Sequence, residues 1–259
     1  MISFDAETAR LLDVAYQGAD ITRRRQASFD ALAPAPGETI LDIGCGNGML
    51  TAELARAVGP GGRVIGVDPS EDMMSAAIDR CSNYECVELR AGFANELPIE
   101  DSVADKAASI QVFEYIEDVE GALTEVMRCL KPGGRLVVGD LHFGSLIWFS
   151  NERERMQRML SSWDQHFVSG SVPERLPGLI RDHGHLVDGV APIALTDHQL
   201  KPDGIAMMMM HLMKNYAVQN GHMEPEVVQA WFDEQNALAQ KGKFFFSITQ
   251  YVVVARKLN

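Results

Sequence analysis

The sequence predicts an α/β protein in which helices cover both faces of a mainly parallel, seven-stranded sheet. Between residues 38 and 140, short β-rich runs alternate with helical stretches, and that alternation is typical of βαβ units with parallel strands. Two later β-rich runs bring the number of expected strands to seven. A glycine-rich turn follows the first expected strand, as it does in Rossmann-like, doubly wound sheets.

Each expected strand is a short run in which β-branched and aliphatic residues predominate. The runs cover residues 39–43, 63–67, 86–90, 106–110, 135–139, 185–195 and 244–254. Helices are expected where apolar and charged residues interleave at helical spacing. They cover residues 1 to about 33, 50–58, 71–80, 119–129, 150–162, 174–183, about 203–219 and 225–240. The basic cluster Arg23, Arg24 and Arg25 in the first helix is interpreted as a solvated helix face.

The overall charge argues against two classes of partner. A formal net charge of −13 disfavours nucleic acid, because proteins that bind the phosphate backbone usually carry a basic face. It gives no support to binding of anionic membranes either. The N-terminal residues lack the basic and then apolar order of a signal peptide, and no apolar run approaches the ~20 residues of a membrane helix. We therefore expect a cytoplasmic protein without a nucleic-acid or membrane partner.

The cysteines give no indication of a metal site. Cys45, Cys81, Cys86 and Cys129 lack the paired spacing and the neighbouring histidines of a structural zinc site. Free thiols are the expected state, and no metal ligand is predicted.

A glycine-rich turn stands between the first expected strand and the helix after it. Gly44, Gly46 and Gly48 allow the backbone to turn sharply and to approach a ligand closely. Such a turn lies at the carboxyl edge of the sheet, where helix N-termini face the ligand. Asp68 ends the second expected strand, where a carboxylate can accept hydrogen bonds from both hydroxyls of a ribose. The order of strand, glycine turn, helix, strand and acid predicts a site for a nucleoside-containing cofactor.

Two details favour S-adenosylmethionine over a nicotinamide dinucleotide as that cofactor. The dinucleotide fingerprint has its third glycine one position later than Gly48, and Met49 occupies that position here. Asp42 stands two residues before the first glycine, where a carboxylate would crowd a pyrophosphate but suits a sulfonium and an amino group. The nicotinamide dinucleotide is the weaker alternative.

In these motifs the chain resembles the class I S-adenosylmethionine-dependent methyltransferases, specifically the type 11 group that includes ubiquinone- and menaquinone-biosynthesis enzymes. The resemblance covers residues 38–140. Its motifs are residues 41–48, 67–70 with Met73, 96–98 and 130–136. The resemblance implies a transferase whose cofactor is S-adenosyl-L-methionine and whose product is S-adenosyl-L-homocysteine.

The resemblance also implies which residues hold the cofactor. The positions that match the family's cofactor site are Asp42, Gly44, Cys45, Gly46, Asp68, Pro69, Met73, Gly92, Phe93, Ala94 and Gln111. Asp42 and the turn would hold the methionine part, Asp68 the ribose, and Met73 would pack against adenine. Phe93 stands where the family usually has an aspartate that reads the adenine amino group, so its backbone or its ring would have to contribute instead. Gln111 matches a position near the methionine end.

The catalytic candidates are His142, Tyr115 and Glu114. Methyl transfer needs an aligned acceptor and, where the acceptor carries a proton, a base. Glu114 and Tyr115 follow the fourth expected strand, where ligand sites collect; a solvated helix start and a packing aromatic are the alternatives. His142 and Asp140 are expected after the fifth strand. Imidazole exchanges protons near neutral pH, which makes His142 the candidate base, although a lone histidine is more often structural.

The chain, residues 1–259, is interpreted as a single methyltransferase domain. Residues 1–36 form an N-terminal helical cap, 37–145 the cofactor-binding core, 146–242 the substrate-cap helices with one core strand, and 243–259 the final strand. These helical cap insertions favour a closed pocket. Two roles stay open for the large side chains of the insertion: each either lines the pocket or packs within the insertion. These side chains are Trp148, Trp163, His166, Met207, Met208, Met209, Met210, Met213 and Tyr216.

The predicted function is in-line transfer of a methyl group to a small-molecule acceptor in that capped pocket. An RNA or protein methyltransferase is one alternative, although the acidic charge counts against RNA. A catalytically silent cofactor-binding protein that serves as a regulator or scaffold is the other, because fold alone does not establish function. No motif specifies the acceptor, the methylated atom or the oligomeric state.

Overall fold

The computed structural model describes residues 16–258. Its helices are α1 (Ala19–Leu32), α2 (Met49–Val58), α3 (Glu71–Cys81), α4 (Val119–Cys129), α5 (Arg153–Asp164), α6 (Val172–Asp182), α7 (Ile205–Gln219) and α8 (Pro225–Gln240). Its strands are β1 (Thr39–Ile43), β2 (Arg63–Asp68), β3 (Val87–Ala91), β4 (Ala104–Ile110), β5 (Leu130–Trp148), β6 (Leu186–Asp197) and β7 (Phe246–Arg256). The helix expected from residue 1 is confirmed over α1, and residues 1–15 lie outside the described part.

The strands of residues 16–258 form one seven-stranded sheet in the order β3-β2-β1-β4-β5-β7-β6. Strands β1 to β5 pair in parallel. Strand β7 runs antiparallel to β5, because Gly133 N–H donates to Lys257 O (3.1 Å) whereas Phe149 N–H donates to Phe245 O (2.9 Å). The predicted doubly wound, mainly parallel sheet is confirmed.

Alternate residues of each central strand point to opposite faces of the sheet, as strand geometry requires. Leu41 and Ile43 of β1 join a buried cluster with apolar residues of α4 and α6. Ile40, between them in the chain, joins a second buried cluster with α1 and α2. Helices therefore cover both faces of the sheet, which leaves the strand ends and the loops between them to form a site.

Strand β5 is much longer than the expected run of residues 135–139. It extends to Trp148 because β7 continues to pair with it, a long-range partnership that local composition does not reveal. Asp140 and His142 consequently lie within β5 rather than after it, which corrects their expected position.

The interpretation of the basic cluster in α1 as a solvated face is wrong for two of its three residues. Arg23 is exposed, but Arg24 is buried. Arg25 is half-buried and pairs with Glu53, with 2.8 Å between Nε and Oε1. The apolar parts of arginine side chains allow such burial when the guanidinium finds partners.

The chain divides into two compact units, and each unit consists of several separate segments of the chain. One comprises Met1–Arg24, Phe143–Gly170 and Ala194–Thr249, and the other comprises Arg25–His142, Ser171–Ile193 and Gln250–Asn259. The second unit contains the glycine turn and the parallel strands; the first contains α5, α7 and α8. The single domain expected over the whole chain stays a prediction.

Within the described residues, no helix combines the length and apolarity that crossing a membrane would require.

Candidate active site

The glycine turn after β1 adopts a backbone that favours glycine. Gly44, Gly46 and Gly48 have φ angles of 65°, 53° and 77°, in the left-handed region that side chains disfavour. A Cβ at Gly44 would lie 2.3 Å from Val112 Cγ2, whereas a Cβ at Gly46 would meet no heavy atom of residues 16–258 within 4 Å. The turn is thus packed at Gly44 and open at Gly46, where a ligand can approach the bare backbone.

Asp68 connects the end of β2 to this turn. Its Oδ2 accepts a hydrogen bond from Gly46 N–H and its Oδ1 accepts one from Ser70 N–H, both at 2.9 Å. Each carboxylate oxygen has two acceptor sites, so both oxygens can still accept a hydroxyl hydrogen. This carboxylate, held by backbone donors at the carboxyl end of a parallel strand, fits the diol of a ribose.

Asp42 lies beneath the turn with only 2% of its surface exposed. Its Oδ2 accepts a hydrogen bond of 2.6 Å from the hydroxyl of Thr51. Burial raises the pKa of Asp42 to about 7, with smaller upward contributions from Asp68 and Glu53, while hydrogen bonding from Thr51 lowers the pKa. A buried carboxylate of this kind is stabilised in its charged form by a nearby cation, which suits the positive charges of S-adenosylmethionine.

Cys45 lies within the turn, but its side chain points into the protein. A Cβ added at Gly66 would come within 3.0 Å of Cys45 Sγ, so the thiol packs against β2. Burial raises the pKa of this thiol, which keeps it protonated and unreactive. All four cysteines are free, and no group of three or more His, Cys, Asp or Glu residues within 16–258 could hold a metal ion.

The residues predicted to bind adenine lie near the ends of β2 and β3. Gly92 N–H donates to Asp68 O (3.3 Å), which ties the two loops together. The Phe93 ring is 63% exposed and Met73 is also exposed, whereas Ala94 packs against the core. Pro69, directly after Asp68, is exposed as well. The exposed ring of Phe93 is available for stacking on the adenine. This is one of the two roles that remain for Phe93, because it replaces the aspartate that the family usually has at this position.

The segment after β4 contains a strained residue and a buried acid. Gln111 has a φ of 61°, uncommon for a residue with a side chain, and its N–H donates to Gly139 O (3.0 Å). The adjacent Val112 N–H donates to Oδ1 of the buried Asp140 at 2.9 Å. Glu114 is fully buried, so the alternative of a solvated helix start is wrong for it, and Tyr115 is partly exposed.

His142 forms a pair that the sequence did not predict. Its Nε2 lies 3.3 Å from Oε2 of Glu174 on α6, and its ring meets Tyr251 edge-on with 5.7 Å between centroids. Glu174 is 32 residues away in the chain and its sequence context matches no motif, so no local signal could have identified it.

The aromatic residues of the insertion lie together in the first unit. Trp163 contacts the rings of His166, Phe167 and Tyr216, with centroids 4.6–5.7 Å apart. Burial lowers the pKa of His166 to about 4, so this imidazole is neutral at physiological pH. The methionines of α7 are mostly buried in the same unit, which supports packing as their role. Trp148 instead packs against Trp231 and Phe246.

Together, the strand order, the open glycine turn and the acid at the end of β2 define a Rossmann-like protein with a nucleoside-binding edge. Comparisons with known proteins show what the region around this edge is similar to. The model of the family described as a methyltransferase domain matches residues 41–138. YcgJ of Bacillus subtilis has a similar fold, with a TM-score of 0.65, 18% identity, and coverage of 92% of this chain and 99% of that one.

Two curated relatives show similarity in sequence. An uncharacterized 37.1 kDa protein in transposon TN4556 of Streptomyces fradiae is 35% identical over 235 residues, 90% of this chain and 66% of that protein. A demethylmenaquinone methyltransferase of Staphylococcus aureus is 41% identical over 101 residues, 39% of this chain and 42% of that protein. The chain thus spans less than two thirds of the length of each relative. The region of residues 41–138 therefore resembles a methyltransferase domain.

Proposed function

We propose that this protein transfers the methyl group of S-adenosylmethionine to a small-molecule acceptor and releases S-adenosylhomocysteine. The observation that carries the proposal is the open turn at Gly46, whose N–H is held by the carboxylate of Asp68. A bare backbone beside an acid at the end of the next strand suits a cofactor that carries a ribose.

The cofactor contacts are distributed along the carboxyl edge of the sheet. We assign the ribose to Asp68, and the positive charges of the methionine part to Asp42 and the backbone of Gly44 and Gly46. The loop residues Pro69, Met73, Gly92, Phe93 and Ala94 would enclose the adenine, and Cys45 would contribute through its backbone alone because its thiol is buried. Gln111 would contact the methionine end.

S-adenosylmethionine, when bound, supplies a methyl group on a sulfonium that in-line displacement by an acceptor can remove. The protein has to align the acceptor and, where necessary, to accept its proton. His142, whose Nε2 lies 3.3 Å from Oε2 of Glu174, is the candidate base. Tyr115 and Glu114, after β4, are the candidates for orienting the acceptor.

A small-molecule acceptor is supported by two observations. The net charge of −13 disfavours RNA, and one relative is a demethylmenaquinone methyltransferase, whose name specifies a small acceptor. The closed pocket expected from the helical insertions stays a prediction, as does the assignment of each site residue.

Calorimetric titration tests the cofactor. We expect micromolar binding of S-adenosylmethionine, no binding of NAD, and at least tenfold weaker binding by Asp68→Ala, because the variant loses hydrogen bonds to a charged acceptor, about 1.5–3 kcal/mol. Asp79→Ala, which removes an exposed acid from α3, is the matched control and should bind normally. The proposal is contradicted if the folded protein does not bind S-adenosylmethionine or binds NAD more tightly.

A panel of acceptors with a nucleophilic oxygen, nitrogen, carbon or sulfur atom then tests the activity. Turnover of a small molecule supports the proposal. Turnover only with RNA or protein would establish the macromolecular alternative. Cofactor binding without turnover on any acceptor would favour a regulatory or scaffold protein.

A further inference from the structure

Thr51 is buried at the start of α2, and its hydroxyl is directed toward the sheet. The hydroxyl donates a hydrogen bond of 2.6 Å to Oδ2 of Asp42, and both residues are buried. Asp42 pairs with Gly66 of β2 on one side and with Ala108 of β4 on the other. Its carboxylate therefore lies between a central strand of the sheet and α2, where water cannot solvate it freely.

The N-cap residue of α2 is Gly48, which has no side chain to cap the helix. Thr51, in the first turn of α2, instead bonds to the sheet, because its side chain and its backbone both form hydrogen bonds with Asp42. The bond to Asp42 joins residues that are nine positions apart.

Apart from Thr51, the groups that face Asp42 destabilise the negatively charged form of its carboxyl group. Asp68 on β2 and Glu53 on α2 both raise its pKa by charge repulsion, although Arg25 pairs with Glu53 at 2.8 Å. The thiols of Cys45 and Cys81 also face Asp42, because its charge raises their pKa values. Hydrogen bonds from the side chain and backbone of Thr51 act in the opposite direction.

We propose that Thr51 is a positioning residue for the cofactor: its hydroxyl holds the Asp42 carboxylate in place and in its charged form, ready to balance the positive charge of S-adenosylmethionine. This role rests on the proposed function. Thr51 would act through Asp42, without contacting the cofactor, and would set both the affinity and its dependence on pH.

The direction of the pH dependence follows from linkage. Burial places the pKa of Asp42 at about 7, and a cationic ligand favours the ionised carboxylate, so the affinity for S-adenosylmethionine should rise with pH through the neutral range. Loss of the Thr51 hydroxyl raises the pKa of Asp42 further, and the rise in affinity then moves to higher pH. S-adenosylhomocysteine lacks the sulfonium charge and should respond less.

The test compares Thr51→Val, which keeps the shape but loses the hydroxyl, with Thr51→Ser, which keeps the hydroxyl. Titrations with S-adenosylmethionine and S-adenosylhomocysteine are made between about pH 6 and pH 9. We expect Thr51→Val to weaken S-adenosylmethionine binding about fivefold at pH 7, corresponding to a pKa about one unit higher, and to have little effect at pH 9. Thr51→Ser should restore the affinity. An equal loss at every pH and for both ligands, or no loss, would overturn the proposal.

A measurement without ligand separates this proposal from the proposed function. The titration of the Asp42 carboxyl is followed by carbon-13 NMR in the free protein, with Asp42→Asn used for assignment. Thr51→Val should titrate at higher pH than the wild type, and an unchanged titration would overturn the link between the two residues. If the wild type binds no S-adenosylmethionine while the titration shifts as expected, the proposed function has failed rather than the link.

Discussion

At the scale of single residues, the glycines of the turn after β1 share a backbone conformation but serve different purposes. Gly44 has Val112 Cγ2 within 2.3 Å of the place where a Cβ would stand, and Gly46 has open space there. The first glycine is therefore required by packing inside the protein. The second leaves space, among the described residues, in which a ligand could approach the backbone.

Alanine substitutions separate these two purposes. Gly44→Ala should lose about 2–4 kcal/mol of unfolding free energy, because left-handed strain adds to a clash. Gly46→Ala should lose only about 1–2 kcal/mol from strain but should bind S-adenosylmethionine at least tenfold more weakly, because its methyl group occupies the open space. Chemical denaturation and calorimetry measure the two effects. Undiminished cofactor affinity in Gly46→Ala would show that no ligand lies there.

At the scale of secondary-structure elements, β5 and α6 are joined by a pair of polar side chains. His142 on β5 lies 3.3 Å from Glu174 on α6, while α6 also packs Val172, Leu176 and Ile180 into the core. The apolar contacts place the helix firmly against the sheet. Glu174 lies on the exposed side of the same helix, from which its carboxylate can orient the imidazole.

Variants of this pair test whether it serves catalysis. Once an acceptor is known, His142→Ala should lower the turnover rate about 100-fold or more, the usual loss for a general base. Glu174→Gln should cause a smaller loss, because it removes the orienting charge and leaves the imidazole. Neither should change the affinity for S-adenosylmethionine. Glu120→Gln, an exposed acid on α4, is the control. Full turnover in His142→Ala would assign the histidine to packing.

At the scale of the whole molecule, the charge of −13 acts on any ligand that approaches. An acidic protein attracts cations over distances of about 10 Å in dilute salt, and added salt screens that attraction. S-adenosylmethionine carries a net positive charge at neutral pH, whereas S-adenosylhomocysteine is neutral overall. A comparison of the two affinities therefore separates the effect of the protein's overall charge from the effect of the contacts that both ligands make.

This difference predicts an effect of salt. Between about 20 mM and 500 mM sodium chloride, the affinity for S-adenosylmethionine should fall several-fold, and that for S-adenosylhomocysteine should change little. Parallel calorimetric titrations at fixed pH measure both. Equal salt effects on the two ligands would mean that the overall charge does not contribute to recognition of the sulfonium.

Much of the fold follows from local sequence. The expected runs 39–43, 119–129 and 225–240 coincide with β1, α4 and α8, because β-branched runs, helical spacing and flanking breakers act over a few residues. The glycine turn and Asp68 at the end of β2 were predictable for the same reason. Their spacing along the chain, together with the parallel order of the strands, brings them to one edge of the sheet.

Other features depend on contacts between distant parts of the chain, which only the tertiary structure decides. β5 reaches Trp148 because β7 pairs with it. Glu114 is buried, although an acid after a strand is ordinarily solvated. Glu174 meets His142 across 32 residues. Local sequence determined where strands, helices and the cofactor motif lie, since those signals are short-range; burial and side-chain partners were decided by packing, which brings together residues that are remote in the chain.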